Sequence, residues 1–226
     1  MLFRSQYVFY FFVSVKNRGL IFTFRLIFNE VKWERKLGIS TLQIENFPAE
    51  IINEEFYHYQ GASYYILQHM FDRIPKEVRK GAFIDYGCGK GRAMIMAAVN
   101  GFKNVQGIDL SEKLISIART NISQCKQLNL DADFIFHCEN AETFVLPPAI
   151  SLVYLFNPFG ESVMKKVVEA CVCSANNTPR EFYVLYINPK HLDCWLSAFD
   201  TVYTLKSKKY NEAVLLKYRK PESILG

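Results

Sequence analysis

Between residues 82 and 188, short apolar stretches alternate with longer segments in which apolar residues recur every three to four positions. The apolar stretches are typical of buried strands, and the longer spacing is typical of amphipathic helices. Strand–helix alternation with apolar strands predicts a parallel sheet covered by helices on both faces. The predicted strands are AFIDYG (82–87), NVQGIDL (104–110), DFIFHC (133–138), SLVYLFN (151–157) and REFYVLYIN (180–188).

The alternation of predicted strands and helices ends near residue 200. Residues 201–220 contain two apolar stretches around a polar turn, which predicts a hairpin-like pair of strands. The fold class is therefore α/β: a Rossmann-like, doubly wound mixed sheet of about seven strands, with the last strand antiparallel. The predicted helices are RAMIMAAVNG (92–101), SEKLISIARTNISQC (111–125), GESVMKKVVEACVCS (160–174) and a short one at KHLDCWLSAF (190–199).

The N-terminal region has a different pattern. Residues 1–36 read as one or two amphipathic helices, with Gly19 separating the two pieces. A linker follows at 36–50, and a further helix is predicted from Gly61-Ala62-Ser63 onward. The expected organisation is a basic, aromatic-rich N-terminal helical extension and linker over 1–56, and an α/β domain over 57–226.

The formal net charge of +5 lies entirely in the N-terminal region. Residues 1–36 hold seven basic side chains and two acidic ones, while the remaining chain has 20 of each sign. A basic end on a neutral body suits an anionic partner such as a membrane surface or nucleic acid. A solvated helix face explains the same excess and is the preferred interpretation.

Two further observations bear on the location of the protein. The six cysteines sit mostly in apolar stretches with no C-x-x-C pair, and the four histidines lack ligand spacing, so reduced thiols, a cytoplasmic protein and no metal site are expected. No stretch approaches the roughly 20 apolar residues that a membrane span requires. The longest, YVFYFFVSV (7–15), suits a helix that docks on the domain or, alternatively, makes peripheral membrane contact.

Glycine stands at every second position in FIDYGCGKGR, where the first strand of the alternation passes into a helix. Glycine permits positive φ and removes the Cβ that would block a ligand at the carboxyl end of the strand. A dinucleotide loop has the spacing G-x-G-x-x-G, but Arg92 stands at the third glycine position. The spacing present is D-x-G-x-G-x-G, from Asp85 through Gly87 and Gly89 to Gly91.

This spacing resembles the glycine motif of class I S-adenosylmethionine-dependent methyltransferases, and the overall sequence resembles a bacterial group of unassigned substrate. The resemblance implies S-adenosyl-L-methionine as cofactor and S-adenosyl-L-homocysteine as product. It implies that the loop, Cys88 and Arg92 included, holds the amino-acid end of the cofactor, with Asp85 linked to the amino group. Tyr59, ahead of the first strand, is a candidate to close over the cofactor.

The next two strands end in further candidates for cofactor binding. Asp109 ends the second strand, where a carboxylate can accept hydrogen bonds from both ribose hydroxyls. Leu110, next to it, is placed to pack on adenine. The resemblance places an acid–alanine pair after the third strand to read adenine; Asn140-Ala141 stands there, and Glu142 could share the role.

The fourth strand ends in YLFNPFG (154–160), at the position that faces the transferable methyl group. Asn157-Pro158-Phe159 resembles, imperfectly, the [N/D]-P-P-[Y/F] motif of enzymes that methylate planar nitrogens, and these three residues are the catalytic candidates. A proline turn after a buried strand is an equally good interpretation.

These motifs favour transfer of a methyl group to an unidentified acceptor, in which a nitrogen of a protein side chain or small molecule is preferred over nucleic acid. Two alternatives stay open: an NAD(P)-dependent oxidoreductase, which Arg92 argues against, and a non-catalytic cofactor-binding module at the membrane periphery.

Overall fold

A computed structural model describes residues 2–39, 61–125 and 130–220. Within them the chain forms one sheet whose strands are β1 (Ala82–Tyr86), β2 (Asn104–Asp109), β3 (Asp133–Cys138), β4 (Ile150–Phe156), β5 (Tyr183–Ile187), β6 (Phe199–Lys206) and β7 (Asn211–Tyr218). Their order is β3-β2-β1-β4-β5-β7-β6. The first five strands are parallel, and β7 runs antiparallel to both of its neighbours. The predicted mixed sheet of seven strands is confirmed.

The helices also follow the predicted pattern. They are α1 (Leu2–Arg18), α2 (Leu20–Leu37), α3 (Tyr64–Phe71), α4 (Arg92–Val99), α5 (Glu112–Gln124) and α6 (Glu161–Asn177), with a 3-10 helix at Lys76–Lys80. Ser63 and Ser111 cap α3 and α5, accepting hydrogen bonds from the backbone N–H groups of Tyr65 and Leu114. Residues 190–199 differ from expectation. They form only a 3-10 helix at Leu192–Cys194, and the turn after it buries Trp195 completely.

The sheet is packed on both faces. Alternate residues of β4 point to opposite sides, so Leu152 and Tyr154 join one core and Val153 and Leu155 the other. The first core holds α3 and α4, and the second holds α6. The helices cover the two faces of the sheet and leave the carboxyl ends of its strands uncovered. These carboxyl ends are called the open edge below.

The helices α1 and α2 form a hairpin around Gly19, which has a φ of 90°. Trp33 and Leu37 of α2 are buried in the first core, and Trp33 stacks on Tyr64 with ring centres 6.1 Å apart. Arg18, at the end of α1, is 2.6 Å from the buried carboxylate of Glu212 on β7. The hairpin is therefore attached to the α/β body at both ends of α2. The boundary predicted near residue 56 lies outside the described residues.

None of the described helices is both long enough and apolar enough to cross a bilayer.

The strand order determines where a ligand can bind. β1 lies between β2 and β4, and the chain leaves it in opposite directions along the sheet, so the reversal point is at the carboxyl end of β1. Open α/β sheets bind ligands at this reversal point.

Candidate functional site at the carboxyl ends of β1 and β4

The loop after β1 has a backbone that glycine alone adopts readily. Gly87, Gly89 and Gly91 have φ values of 82°, 52° and 80°. The N–H groups of Gly87 and Cys88 both donate to the Ile108 carbonyl, which fixes the start of the loop against β2. A Cβ on Gly87 would lie 3.0 Å from the Cβ of Pro158. The two predicted motifs, on β1 and β4, therefore meet at this edge of the sheet.

Two carboxylates lie beneath this loop, Asp85 buried and Asp109 partly buried. Asp109 accepts hydrogen bonds from the N–H groups of Gly89 and Ser111, each at 2.9 Å, and so ties the glycine loop to the end of β2. Burial raises the pKa of Asp109, and these backbone donors partly offset the rise. Because a carboxylate oxygen has two lone pairs, each oxygen can still accept a ribose hydroxyl.

Asp85 is the more unusual of the two acids. Its side chain is 3% exposed, and its Oδ1 has no hydrogen-bond partner among the described residues. Burial raises its pKa well above the ordinary value of 3.8, and the neighbouring Asp109 adds to this rise. A buried acid without a partner is costly, so this position suits a ligand that brings a positive charge.

The residues predicted to contact adenine lie along the ends of β2 and β3. Leu110 is 46% exposed, and its carbonyl accepts a long hydrogen bond from the Cys138 thiol. Asn140 is exposed, and its side-chain oxygen accepts the N–H of Glu142. Ala141 is buried in the second core. Leu110 and Asn140 therefore offer exposed surface at the cofactor edge, and their contacts with adenine stay a prediction.

Two other predicted residues point into the protein rather than toward the open edge. Cys88 is buried, and burial raises the pKa of its thiol. Arg92, the first residue of α4, is 3% exposed and turns toward α2. Its guanidinium lies 3.0 Å from Glu30 and 3.4 Å from Glu34, and it donates to the Ala62 carbonyl at 2.8 Å. The described contacts of Arg92 thus join the hairpin to the glycine loop.

The loop at Asn157 is bonded to Tyr186, a residue that no sequence motif indicated. Asn157 is buried and has a φ of 39°, in the region that disfavours most side chains. The hydroxyl of Tyr186 on β5 donates to Asn157 Oδ1 at 3.2 Å and accepts the N–H of His191 at 3.3 Å. Phe159 is buried and packs edge-on against Tyr86. Tyr186 lies in a uniformly apolar strand, so the sequence pattern offers no signal for this contact.

The predicted cofactor residue Tyr59 lies outside the described residues. Two features of the local structure fit S-adenosylmethionine: three positive-φ glycines shape the loop after β1, and Asp85, whose Oδ1 has no partner among the described residues, suits the ammonium group of an amino acid. The described residues contain no group of three or more histidine, cysteine or acidic side chains that could hold a metal ion.

Comparison with known proteins finds similarity to methyltransferases. A family described as a methyltransferase domain matches residues 83–177, from β1 to the end of α6. A curated relative, the type II methyltransferase M.VspI of Vibrio sp. (strain 343), is 26% identical over 144 residues. The match covers 61% of this chain and 33% of the relative, so it spans about a third of that protein's length.

Solved structures show the same fold at low identity. A ribosomal protein L11 methylase from Lactobacillus delbrueckii subsp. bulgaricus has a TM-score of 0.51 at 16% identity, covering 69% of this chain and 76% of its own. An RNA methyltransferase from Salinibacter ruber, in complex with S-adenosyl-L-homocysteine, has a TM-score of 0.50 at 16% identity, covering 73% and 96%. The family match over residues 83–177 and the shared fold support a class I S-adenosylmethionine-dependent methyltransferase with S-adenosylmethionine as its cofactor.

Proposed function

We propose that this protein transfers a methyl group to an acceptor held against Asn157, Pro158 and Phe159. The observation that carries the proposal is the approach of Pro158 to Gly87, which brings the acceptor loop to the cofactor loop. We also propose that residues 1–56 form an extension to a methyltransferase domain at 57–226. For the acceptor atom we favour a nitrogen of a protein side chain or small molecule, since Asn157 presents an amide at the acceptor position.

The residues of the site have separate roles in this proposal. When bound, the cofactor supplies a methyl group on a sulfonium, which is already a good leaving group. Asp85 binds the ammonium group, Asp109 binds the ribose hydroxyls, and Leu110 with Asn140 contacts the adenine. Asn157 orients the acceptor, and Phe159 with Tyr86 keeps water from the loop. Alignment of the reactants and exclusion of water supply most of the catalysis in such a transfer.

Calorimetric titration with S-adenosylhomocysteine, with NADH as the comparison ligand, tests the cofactor part. We expect binding of S-adenosylhomocysteine alone, and about tenfold weaker binding in Asp109→Ala, because hydrogen bonds to an ionised group are lost. Asp133→Ala is the matched control, since Asp133 is an exposed acid at the opposite end of the neighbouring strand β3. Binding of NADH in place of S-adenosylhomocysteine would refute the proposal.

Methyl transfer itself can be followed with methyl-labelled S-adenosylmethionine and a bacterial extract separated into protein, small-molecule and nucleic-acid fractions. We expect label in the protein or the small-molecule fraction, and none with Asn157→Ala. Because the described hydrogen bond of the Asn157 side chain goes to Tyr186 on β5 and not to the glycine loop, this variant is expected to keep its affinity for S-adenosylhomocysteine. Label confined to nucleic acid would contradict the acceptor class, and undiminished transfer by Asn157→Ala would contradict the acceptor site.

The contact between Tyr186 and Asn157 yields a separate prediction. Tyr186→Phe removes the hydroxyl that donates to Asn157 Oδ1, at a net loss of about 1 kcal/mol. We therefore expect kcat to fall by about a factor of five to ten, with unchanged affinity for S-adenosylhomocysteine. Tyr183→Phe is the control, because Tyr183 lies on the same strand and its hydroxyl bonds to Glu181 instead. Equal effects of both changes would show that the hydroxyl of Tyr186 does not position Asn157.

A further inference from the structure

Among the described residues, the α1–α2 hairpin carries most of the exposed large hydrophobic side chains. Ten of the sixteen exposed large hydrophobic side chains in the described residues belong to it. Contiguous apolar surface of this kind on a folded protein marks an interaction site rather than ordinary surface composition.

The exposed apolar residues of α2 occupy one face of the helix. Leu20, Phe24, Ile27, Phe28 and Val31 follow the spacing i, i+4, i+7, i+8, i+11, and Ile21 borders them. Ile21 and Phe28 are 72% and 68% exposed. The opposite face carries Trp33 and Leu37, which are buried in the domain. The helix therefore has two apolar faces, and the body of the protein covers only one of them.

The helix α1 extends the same surface. Phe9, Tyr10, Phe12 and Val13 are exposed on it. Phe11 packs edge-on against Phe24 with ring centres 5.9 Å apart, and the hydroxyls of Ser14 and Thr23 lie 2.9 Å apart, so the two helices are in contact next to their turn at Gly19. The exposed residues of α1 and α2 thus form a two-helix apolar surface, the hairpin surface.

The charged residues of α2 indicate which kind of partner the hairpin surface binds. Arg25 and Lys32 follow Ile21 and Phe28 by four residues, which places a cationic row beside the apolar face. Both acids of the hairpin, Glu30 and Glu34, are turned inward to the buried Arg92. The outward side is therefore apolar and cationic, without an exposed carboxylate. Because two copies would bring like charges together, self-association through this surface is disfavoured.

We propose that the hairpin surface binds the surface of a bilayer that contains anionic lipid. A helix with an exposed apolar face and flanking lysine and arginine residues lies in the plane of the membrane interface, about 5–10 Å deep in the headgroup region. In this arrangement α2 lies parallel to that plane, and its apolar face from Leu20 to Val31 gives a contact about 18 Å long. The ion pair of Arg92 keeps the glycine loop at a fixed position relative to the bilayer.

Co-sedimentation of the full chain with vesicles tests the proposal. One set consists of phosphatidylcholine alone, and the other contains about one third phosphatidylglycerol. We expect binding at least tenfold stronger to the anionic vesicles, reduced by salt and reduced at least tenfold again by Ile21→Glu with Phe28→Glu. Arg35, in the last turn of α2, is a further exposed cation of the hairpin. Neutralising two cations by Lys32→Gln with Arg35→Gln is expected to remove the preference for anionic vesicles.

Leu196→Glu with Val202→Glu is the matched control, because it charges two exposed apolar residues outside the hairpin. Unchanged S-adenosylhomocysteine affinity and thermal stability establish that each variant is folded. Three outcomes would overturn the proposal: equal binding to both vesicle sets, loss of binding in the control pair, or dimers abolished by Ile21→Glu with Phe28→Glu in a protein that ignores vesicles. The last outcome would assign the hairpin surface to a second copy of the chain.

Discussion

Asp85→Asn is expected to weaken S-adenosylhomocysteine binding by about a hundredfold or more and to stabilise the unliganded protein at neutral pH. Asparagine has nearly the shape of aspartate, so the change removes the charge and leaves the packing. Removal of one partner from a buried ion pair is worth about 3–5 kcal/mol. In our proposal the other partner is the ammonium group of the ligand, so the loss is measured as affinity.

The gain in stability follows from the direction of the pKa shift. Burial raises the pKa of Asp85 above its ordinary value of 3.8, so the folded protein keeps this proton to a higher pH than the unfolded chain. The free energy of unfolding therefore falls as the pH rises from about 4 to the raised pKa. Because asparagine does not titrate, the stability advantage of Asp85→Asn grows through this range and disappears at low pH. Urea unfolding between about pH 4 and pH 8 measures it.

Two comparisons isolate the ammonium contact. Methylthioadenosine lacks the amino-acid end of the cofactor, so its affinity is expected to be equal for wild type and Asp85→Asn. Asp133→Asn, on the exposed end of β3, is expected to change neither affinity nor stability. Wild-type affinity of Asp85→Asn for S-adenosylhomocysteine would show that the carboxylate does not face the ligand's charge. An absence of stabilisation would show that Asp85 already has a partner in the free protein.

The parts of the fold that the sequence predicts are those with a local signature. Apolar strands and helical spacing are visible in short windows of sequence. The glycine loop is visible for the same reason, since its positive-φ positions require glycine at fixed spacing. The helix predicted at 190–199 shows the limit of prediction from short windows. Its apolar residues have helical spacing, but the structure has a short 3-10 helix and a turn that buries Trp195 in the second core.

The parts that could not be predicted depend on contacts between distant segments. The hydroxyl of Tyr186 reaches Asn157 across 29 residues, and nothing near either residue indicates the pairing. Arg92 is a second residue whose contacts could not be predicted from its neighbours in the sequence. Its position beside Gly91 suggests a cofactor residue, whereas its guanidinium contacts Glu30, 62 residues earlier in the chain.

Arg92→Met is expected to lower the free energy of unfolding by about 3–5 kcal/mol. The change removes the cation that lies 3.0 Å from Glu30 and 3.4 Å from Glu34, whose carboxylates keep the neutral donors of Tyr64. It also removes the guanidinium that lies 4.2 Å from the ring centre of Tyr64. Urea unfolding measures the loss. Arg219→Met is the control: Arg219 bonds to Asp200 through two nitrogens but is exposed, so solvent screens the pair and only a small change is expected.

A triple variant separates the structural role of Arg92 from cofactor binding. Glu30→Gln and Glu34→Gln remove the repulsion that Arg92→Met creates, so the three changes together should recover part of the lost stability. If Arg92 acts only by joining α2 to α4, the triple variant binds S-adenosylhomocysteine as the wild type does. A recovered stability with a lasting loss of affinity would instead place Arg92 in the cofactor site, as its sequence position suggested. No recovery of stability would mean that the donors on Tyr64, whose N–H bonds to Glu30 and whose hydroxyl bonds to Glu34, hold the two carboxylates without Arg92. That result would contradict the proposed role of Arg92 in joining the hairpin to the glycine loop.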